Sequence, residues 1–450
     1  MTASYLSRRE FIRLGTAATS GVALLVACSN GSSGTGNSTG PVTIKFWNST
    51  YETTDSNDKS KKKEQFYIYQ AIQRFEAANP NIKVDIQIHP GTTDMFTQYR
   101  VASIAKNGPD VMTLWSGSYM LQLKRFLEPL DSYFPSQERS RIQGWNSVTE
   151  GFKEGAGKIY GVPNTSDGIT AVYYNKNILS KAGINPETSW PKNFDEFLAM
   201  LDKLKATGTT PLALYDNGYT FFSLDYWLAQ MVNGDPGIGD LVAGKRNFSD
   251  PQLIDVIQKW SKLAQYTVPG APTMDSGQAS QFFYQGKAAM TINGPWPLVD
   301  MRKALGDNLG IHKLPDFSTA ASIQNSGVGG TGTALIVSNY SKHKEESVKF
   351  IKFLMSQSEQ TKRAQNTSGN LINTTDVDVT KIYQEPYKVQ IQKWVLEPNT
   401  IFWPDNIFPA DLTSEISAQA QLAWTGKISP QQFMSKLDAK RDEVLKTPKQ

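Results

Sequence analysis

The chain has 450 residues, a formal net charge of +4, three histidines and one cysteine. This length is sufficient for two domains with sizeable cores. The near balance of charge argues against a nucleic-acid partner, which would require a clustered basic surface. Three widely separated histidines do not have the spacing of zinc ligands, so no metal or other cofactor is expected. The 10 Trp, 18 Tyr and 21 Phe residues are expected mostly in the core, but they also suit a site where flat rings stack on a ligand.

The first 28 residues predict a bacterial export signal. Three arginines precede an apolar run over 21–27, which leads to Cys28. The adjacent pair Arg8-Arg9 resembles a twin-arginine signal, and Leu25-Val26-Ala27-Cys28 resembles a lipobox, in which the cysteine carries lipid. The run is too short for a membrane span of about 20 residues. We therefore expect an extracytoplasmic protein, periplasmic or at the cell surface, held at the outer face of the cytoplasmic membrane by lipid on Cys28. An ordinary signal with an incidental cysteine is the alternative.

A Gly/Ser-rich linker is predicted at 29–41, and regular elements follow it. The hydrophobic pattern predicts, in order, a strand at 42–47, a helix at 65–78, a strand at 82–88, a helix at 93–106 and a strand at 108–115. Alternation of strands and helices is typical of a parallel α/β sheet.

The same kind of pattern returns after Gly161-Val162-Pro163. Predicted strands lie at 169–174, 211–214, 288–292 and 334–337. Predicted helices lie at 175–182, 194–206, 220–232, 251–265, 276–286, 343–356, 359–365, 379–394, 409–425 and 430–446. The chain as a whole is therefore predicted to be an α/β protein.

Several stretches match one known family in their order and spacing. They are Val42–Trp47, Phe75–Val84, Gly108–Val111, Tyr160–Pro163, Val172–Lys176, Gly286–Trp296 and Ser341–Ile351. Together they resemble extracellular solute-binding protein family 1, the sugar-binding lipoproteins of ABC importers that include maltose-binding protein. The resemblance spans nearly all of the mature chain and implies a two-lobe periplasmic-binding-protein fold of type II, with a hinged cleft between the lobes.

The resemblance also implies where the lobes divide and what they do. Lobe one would comprise 42–166 and 315–356, and lobe two would comprise 167–314 and 357–450. The implied protein is a monomeric, non-catalytic receptor. It binds a mono- or oligosaccharide in the cleft and delivers it to the transmembrane subunits of an ABC permease.

Ligands of open α/β sheets bind outside the carboxyl ends of the strands. Those ends give the candidate ligand-binding residues Asn48, Tyr51, Trp115, Ser116, Asp167, Tyr215, Asn217, Tyr219, Trp296, Gly329, Gly330 and Trp403. The rings expected to stack on the C–H face of a sugar belong to Trp115, Tyr219, Trp296 and Trp403. The side chains expected to hydrogen-bond sugar hydroxyls belong to Asn48, Asp167 and Asn217. Core packing of the rings and loop capping by the polar groups are the alternatives.

Two motifs are set aside. The stretch 327–332 has the G-x-G-x-x-G spelling of a dinucleotide loop, but it does not follow a strand and open a helix. The adjacent tyrosines at 173 and 174 would face opposite sides of a strand, so they do not form a ferric-ion site.

Two other functions stay open. A secreted glycan-active enzyme would need two cleft carboxylates about 5–10 Å apart, and Asp167, Asp216 and Asp405 are available. A receptor of the same fold for a non-sugar solute is the third hypothesis.

Overall fold

The computed structural model describes residues 40–53, 61–89, 92–215, 221–366 and 371–446, with the side chains at 92–94, 221 and 222 left out. The predicted export signal, the lipobox with Cys28 and nearly all of the predicted linker lie outside the described residues. So do Asp216 and two candidate site residues, Asn217 and Tyr219. Within the described ranges, no helix combines the length and apolar character that a bilayer crossing requires.

The strands agree largely with the predicted pattern. They are β1 (Val42–Asn48), β2 (Ile82–Ile88), β3 (Val111–Trp115), β4 (Val162–Ile169), β5 (Ala171–Asn175), β6 (Thr210–Leu212), β7 (Ala288–Asn293), β8 (Leu309–Lys313), β9 (Val328–Val337), β10 (Leu371–Ile372) and β11 (Ile401–Phe402). The predicted strand at 169–174 spans the end of β4 and the start of β5. The sequence analysis did not predict β8.

The α-helices are α1 (Tyr67–Ala78), α2 (Thr92–Ile104), α3 (Ser118–Leu121), α4 (Ser136–Arg139), α5 (Lys176–Lys181), α6 (Phe194–Ala206), α7 (Phe221–Met231), α8 (Gly234–Val242), α9 (Pro251–Trp260), α10 (Ser276–Tyr284), α11 (Leu298–Leu305), α12 (Lys344–Leu354), α13 (Gln357–Asn366), α14 (Pro386–Val395), α15 (Pro404–Ile407), α16 (Ala410–Trp424) and α17 (Pro430–Lys446). The predicted helix at 194–206 is confirmed as α6, and the Asn193 side chain caps it by accepting a hydrogen bond from the Glu196 backbone N–H at 3.0 Å. The predicted helix at 379–394 begins later, at Pro386, since proline favours the first helical position. Helix α8 was not predicted because its Gly and Pro content is atypical of helices.

The strands form two sheets. The first has the order β10-β4-β9-β3-β1-β2, with β11 also paired to β9. Strand β1 pairs in parallel with β2 and β3, as the N-terminal pattern predicts. Strand β9, from much later in the chain, pairs antiparallel with both β3 and β4. The second sheet has the order β6-β7-β5-β8.

Hydrophobic cores pack against both sheets. Ile44, Phe46 and Phe350 belong to the core around the first sheet. The second sheet separates two cores, and the adjacent tyrosines of β5 divide between them, with Tyr174 in one and Tyr173 in the other. The prediction that these two side chains do not converge is thus confirmed, because successive strand residues face opposite sides.

Strand β4 of the first sheet ends at Ile169, and β5 of the second sheet begins at Ala171. Strand β9 pairs with β4 next to this connection, where Gly329 lies opposite Ile169. The start of β9 pairs with β11, and its last half pairs with β3. Gly168 and Gly329 allow β4 and β9 to approach closely at this point: a β-carbon on Gly329 would lie 1.8 Å from the Gly168 carbonyl oxygen. Glycine is required here because no side chain fits between the two backbones.

Candidate functional site

A cleft of about 500 Å³ lies where loops from both sheets meet. Its lining residues are Trp115, Tyr119, Asp167, Tyr215, Ser276, Trp296, Gly332, Trp403, Asp405, Asn406, Thr413, Ser414 and Ser417. Trp115 ends β3 of the first sheet, whereas Tyr215 follows β6 and Trp296 follows β7 of the second. The cleft therefore lies at the carboxyl ends of strands, where ligands of open α/β sheets bind.

The structure brings together five of the predicted site residues in this cleft: Trp115, Asp167, Tyr215, Trp296 and Trp403. They come from segments that are far apart in the sequence. Their convergence is a result of the fold, and their contact with a ligand stays a prediction.

The Trp296 indole offers the most accessible aromatic surface of the cleft, because the residue is 41 % exposed. It folds back over Gly294, where an added β-carbon would lie 2.0 Å from the nearest ring atom. A side chain at position 294 would therefore displace the ring. Trp403, in contrast, is only 3 % exposed, so it contributes at most an edge to a ligand.

A second aromatic group also lines the cleft. The rings of Trp115 and Tyr119 meet edge to face at a centroid distance of 5.3 Å. Phe96 supports both rings from 6.1 Å and 5.7 Å. This packing fixes the plane of Trp115 before any ligand binds, which lowers the entropic cost of stacking.

Two carboxyl groups face the cleft. Burial raises the pKa of Asp167 to about 7, and the charge of Asp405 contributes to this shift. Burial likewise raises the pKa of Asp405 to about 7, although nearby backbone N–H groups oppose the shift. Gly332 makes room for the first carboxyl, since a β-carbon there would lie 1.9 Å from an Asp167 carboxyl oxygen.

A third carboxyl group, that of Asp225 on α7, interacts with Asp405. It is 1 % exposed, and burial together with the charge of Asp405 raises its pKa well above the usual range. Among the described residues, Asp225 Oδ2 and Asp405 Oδ1 are buried oxygens without a hydrogen-bond partner. Buried polar atoms without partners are rare in proteins and are often completed by a ligand or a water molecule.

Helix α16 supplies a row of hydroxyl groups that the sequence analysis did not single out. Ser414 Oγ donates to the Ala410 carbonyl at 2.9 Å, and Ser417 Oγ donates to the Thr413 carbonyl at 3.1 Å. Each hydroxyl oxygen keeps acceptor capacity toward the cleft. Residues three and four apart share one helix face, so the spacing of Thr413, Ser414 and Ser417 could have indicated that their hydroxyl groups lie together.

The segment from β11 to α15 carries Trp403 and Asp405 into the cleft. It contacts the first sheet's side through Ser118, whose Oγ donates to the Phe408 carbonyl at 2.5 Å. Gly117 packs so closely on this segment that a β-carbon would lie 2.2 Å from the Asn406 carbonyl oxygen. At the other end, the Phe402 backbone N–H donates to Asp235 Oδ1 at 2.9 Å. Contacts at both ends of this segment thus fix the positions of Trp403 and Asp405.

The structure does not bring Asn48, Tyr51 and Ser116 to the cleft lining. The Asn48 side chain caps its own loop, accepting from the Tyr51 backbone N–H at 2.8 Å. Tyr51 is buried, and its Oη donates to Asn164 Oδ1 at 2.7 Å. Ser116 Oγ donates to the Thr331 carbonyl at 2.8 Å. Loop capping and core packing, the alternatives for such residues, describe these contacts better than ligand binding does.

Gly329 and Gly330 line a different depression, of about 680 Å³. Gly330 has a φ of 109°, which favours glycine, and Gly329 permits the close approach of β4 described above. These contacts give the two glycines a role in strand packing, and their proximity to a ligand stays a prediction. In the described part of the chain, no group of three or more His, Cys, Asp or Glu side chains is arranged to hold a metal ion.

Sequence comparison relates the chain to binding proteins. A family model described as bacterial extracellular solute-binding protein matches residues 59–361. The multiple sugar-binding protein of Streptococcus mutans is 26% identical over 358 residues, which cover 74% of this chain and 75% of the relative. The sn-glycerol-3-phosphate-binding periplasmic protein UgpB of Salmonella paratyphi A is 22% identical over 444 residues, which cover 92% and 94%.

Structural comparison gives the fold. A chitin oligosaccharide binding protein superimposes with a TM-score of 0.74 at 20% identity, covering 90% of this chain and 98% of that one. The GacH receptor of Streptomyces glaucescens gives a TM-score of 0.71 at 22% identity, covering 90% and 99%. The predicted two-lobe α/β periplasmic-binding-protein fold is confirmed. Since the family model spans more than half of its length, the chain belongs to the bacterial extracellular solute-binding proteins, as its sequence predicts.

Proposed function

We propose that the chain is the extracytoplasmic receptor of an ABC importer, which binds a mono- or oligosaccharide in the aromatic cleft and delivers it to the permease. One observation carries the proposal: tryptophans from both sheets line a single cleft together with hydroxyl and amide groups. An indole covers the flat C–H face of a pyranose, while the hydroxyls at the sugar's rim pair with polar side chains. The sugar-binding relative from Streptococcus mutans supports the same ligand class.

The relatives of this chain differ in the charge of the ligands that they bind. The UgpB relatives bind sn-glycerol-3-phosphate, an anion. Among the described residues that line this cleft there is no Lys, Arg or His, and two carboxyl groups face it. An anion would be desolvated there without a counter-charge, which costs free energy. The cleft therefore suits an uncharged or positively charged ligand better than a phosphate.

Binding would be coupled to closure of the two lobes. Trp115 and Asp167 belong to the first sheet, and Tyr215 and Trp296 follow strands of the second, so one sugar can contact both. A ligand that makes more contacts in the closed state shifts the population toward that state. The closed receptor is then the form that the permease recognises.

The lobe boundaries are proposed as the sequence predicts, with one change. Helix α13 lies in the second lobe by the prediction, but Glu359 pairs with Arg74 of α1 at 2.6 Å. Arg363, 1 % exposed, donates to the Asn164 carbonyl at 2.8 Å and faces the Tyr51 ring at 4.5 Å. We therefore assign α13 to lobe one.

The attachment of the receptor to the membrane is a separate part of the proposal. Export through the twin-arginine pathway and lipid on Cys28 would place the receptor, as a monomer, beside its permease. Cys28→Ser should release the mature protein from the membrane fraction. If the variant sediments with membranes as the parent does, the lipid anchor is disproved and the receptor function is unaffected.

Calorimetric titration of the mature protein against a panel of oligosaccharides, with product analysis of the same samples, tests the receptor. Saturable binding without product supports it. A glycan-active enzyme would instead release product, and Asp167→Asn and Asp405→Asn would abolish that release, because such enzymes need a carboxyl pair. Absence of binding to every saccharide, with binding to another solute, would favour the non-sugar receptor.

A further inference from the structure

The charge of the cleft is unbalanced. Two carboxyl groups, those of Asp167 and Asp405, face it, and the described lining contains no basic side chain. Asp225 adds a third carboxyl, whose charge interacts with that of Asp405. Acidic groups buried in a protein are normally paired with a cation or fully hydrogen-bonded, because the charged form is costly to desolvate.

That pairing is incomplete on the protein's side. Oδ1 of Asp405 is buried and has no hydrogen-bond partner among the described residues, and Oδ2 of Asp225 is in the same state. Other buried carboxylates of this chain do have partners: Glu359, 2 % exposed, pairs with Arg74, for example. The cleft therefore differs from the protein's structural ion pairs in lacking the positive partner.

The aromatic lining complements a positive charge as well. Trp115, Tyr119, Tyr215, Trp296 and Trp403 surround the same space as the two carboxyl groups. The face of an indole attracts an ammonium group, and the attraction increases when the pair is desolvated. Rings together with carboxylates, without basic residues, form a site for a cation that also carries apolar surface.

Taking the proposed sugar-binding function as its basis, we propose that the preferred ligand is an amino sugar, or an oligosaccharide containing one, whose protonated amine lies between Asp167 and Asp405 while its ring stacks on Trp296. The pKa of each carboxyl is raised to about 7, as expected for buried carboxyl groups that lack a neighbouring positive charge. An arriving ammonium group would stabilise the ionised forms, so binding near pH 6 should release protons from the protein.

Three matched sugar series test the proposal. The β-1,4-linked mono- to trisaccharides of glucosamine, N-acetylglucosamine and glucose differ only in an ammonium, an acetamide or a hydroxyl group at carbon 2. We expect the glucosamine series to bind at least tenfold more tightly at pH 6. Because the attraction is electrostatic, raising the salt concentration should reduce this preference.

Proton release provides a second measurement. Titrations at pH 6 in two buffers with different ionisation enthalpies should show release with glucosamine sugars, whose amine is already protonated, and none with the glucose series. Asp405→Asn should abolish most of the preference and of the release. Asp202→Asn is the matched control, because that carboxyl accepts a hydrogen bond from Tyr266 and does not line the cleft.

The outcomes separate this inference from the proposed function. Equal or tighter binding of the glucose or N-acetylglucosamine series would overturn the amine proposal and leave the sugar receptor intact. Failure of every saccharide to bind would overturn both. Binding of a simple alkylamine without any sugar would show that the carboxyl pair takes a cation but that the ligand is not a saccharide, which also contradicts the proposal.

Discussion

Replacing Trp296 with alanine tests the contribution of the most exposed ring in the cleft. A tryptophan side chain has about 250 Å² of surface, so its 41 % exposure leaves about 100 Å² for a ligand to cover. At about 25 cal/mol per Å², covering half to all of it would contribute roughly 1.2–2.5 kcal/mol. Since 1.4 kcal/mol corresponds to a tenfold change, Trp296→Ala should weaken sugar binding by about sevenfold to sixtyfold.

The same substitution should affect stability little. The residue is 41 % exposed and its ring lies over Gly294, so we expect a loss of about 1–2 kcal/mol. For a body of this size that lowers the melting temperature by less than about 4 °C. Isothermal titration calorimetry gives the affinity, and a thermal melt gives the stability.

Trp47→Ala serves as the control for this experiment. Its indole is half-buried and contacts the tilted His89 ring at a centroid distance of 4.2 Å, away from the cleft lining, so the same chemical change there should leave the affinity unchanged. If Trp296→Ala binds sugar as tightly as the parent, the ring does not contact the ligand and the stacking argument is refuted. Equal losses in both variants would point to a general effect on the fold instead.

Three further predictions follow from the contacts of the described residues. Gly294→Ala should weaken sugar binding about as much as Trp296→Ala, because a β-carbon would displace the ring; unchanged affinity by calorimetry would contradict this. The free energy of unfolding should fall as the pH rises from 5 to 8. Folding raises the pKa values of Asp167 and Asp405 from the ordinary 3.8 to about 7. In this pH range the folded protein therefore holds protons that the unfolded chain has lost. Urea titrations across this range check the slope, and Asp167→Asn should flatten it; a rise in stability toward pH 8 would show that the carboxyls ionise normally. Arg363→Ala should lower the free energy of unfolding by roughly 2–5 kcal/mol, since it empties a buried site and removes the guanidinium donor from the Asn164 carbonyl, while sugar affinity stays within about twofold.

Local patterns in the sequence determine most of the fold. Apolar periodicity predicts the alternation of strands and helices, and the confirmed family follows from the order of short matching stretches. The division of Tyr173 and Tyr174 between two cores is also a local property, since strand residues alternate in direction. The same reasoning, applied to strand ends, finds Trp115 and Trp296.

The details of the cleft depend on contacts between distant segments. Asn48 and Tyr51 follow a strand end as a ligand-binding residue would, yet they face a buried cluster that includes Arg363, because α13 packs on α1. No local pattern indicates that β11 pairs with β9 and thereby brings Asp405 to the cleft beside Asp167. Periodicity reports which face of an element is buried, whereas the pairing of strands far apart in the chain decides what that face meets. The sequence by itself therefore determined the α/β architecture and the aromatic candidates, and the tertiary structure alone decided which of them share one cleft and that two carboxyl groups lie among them.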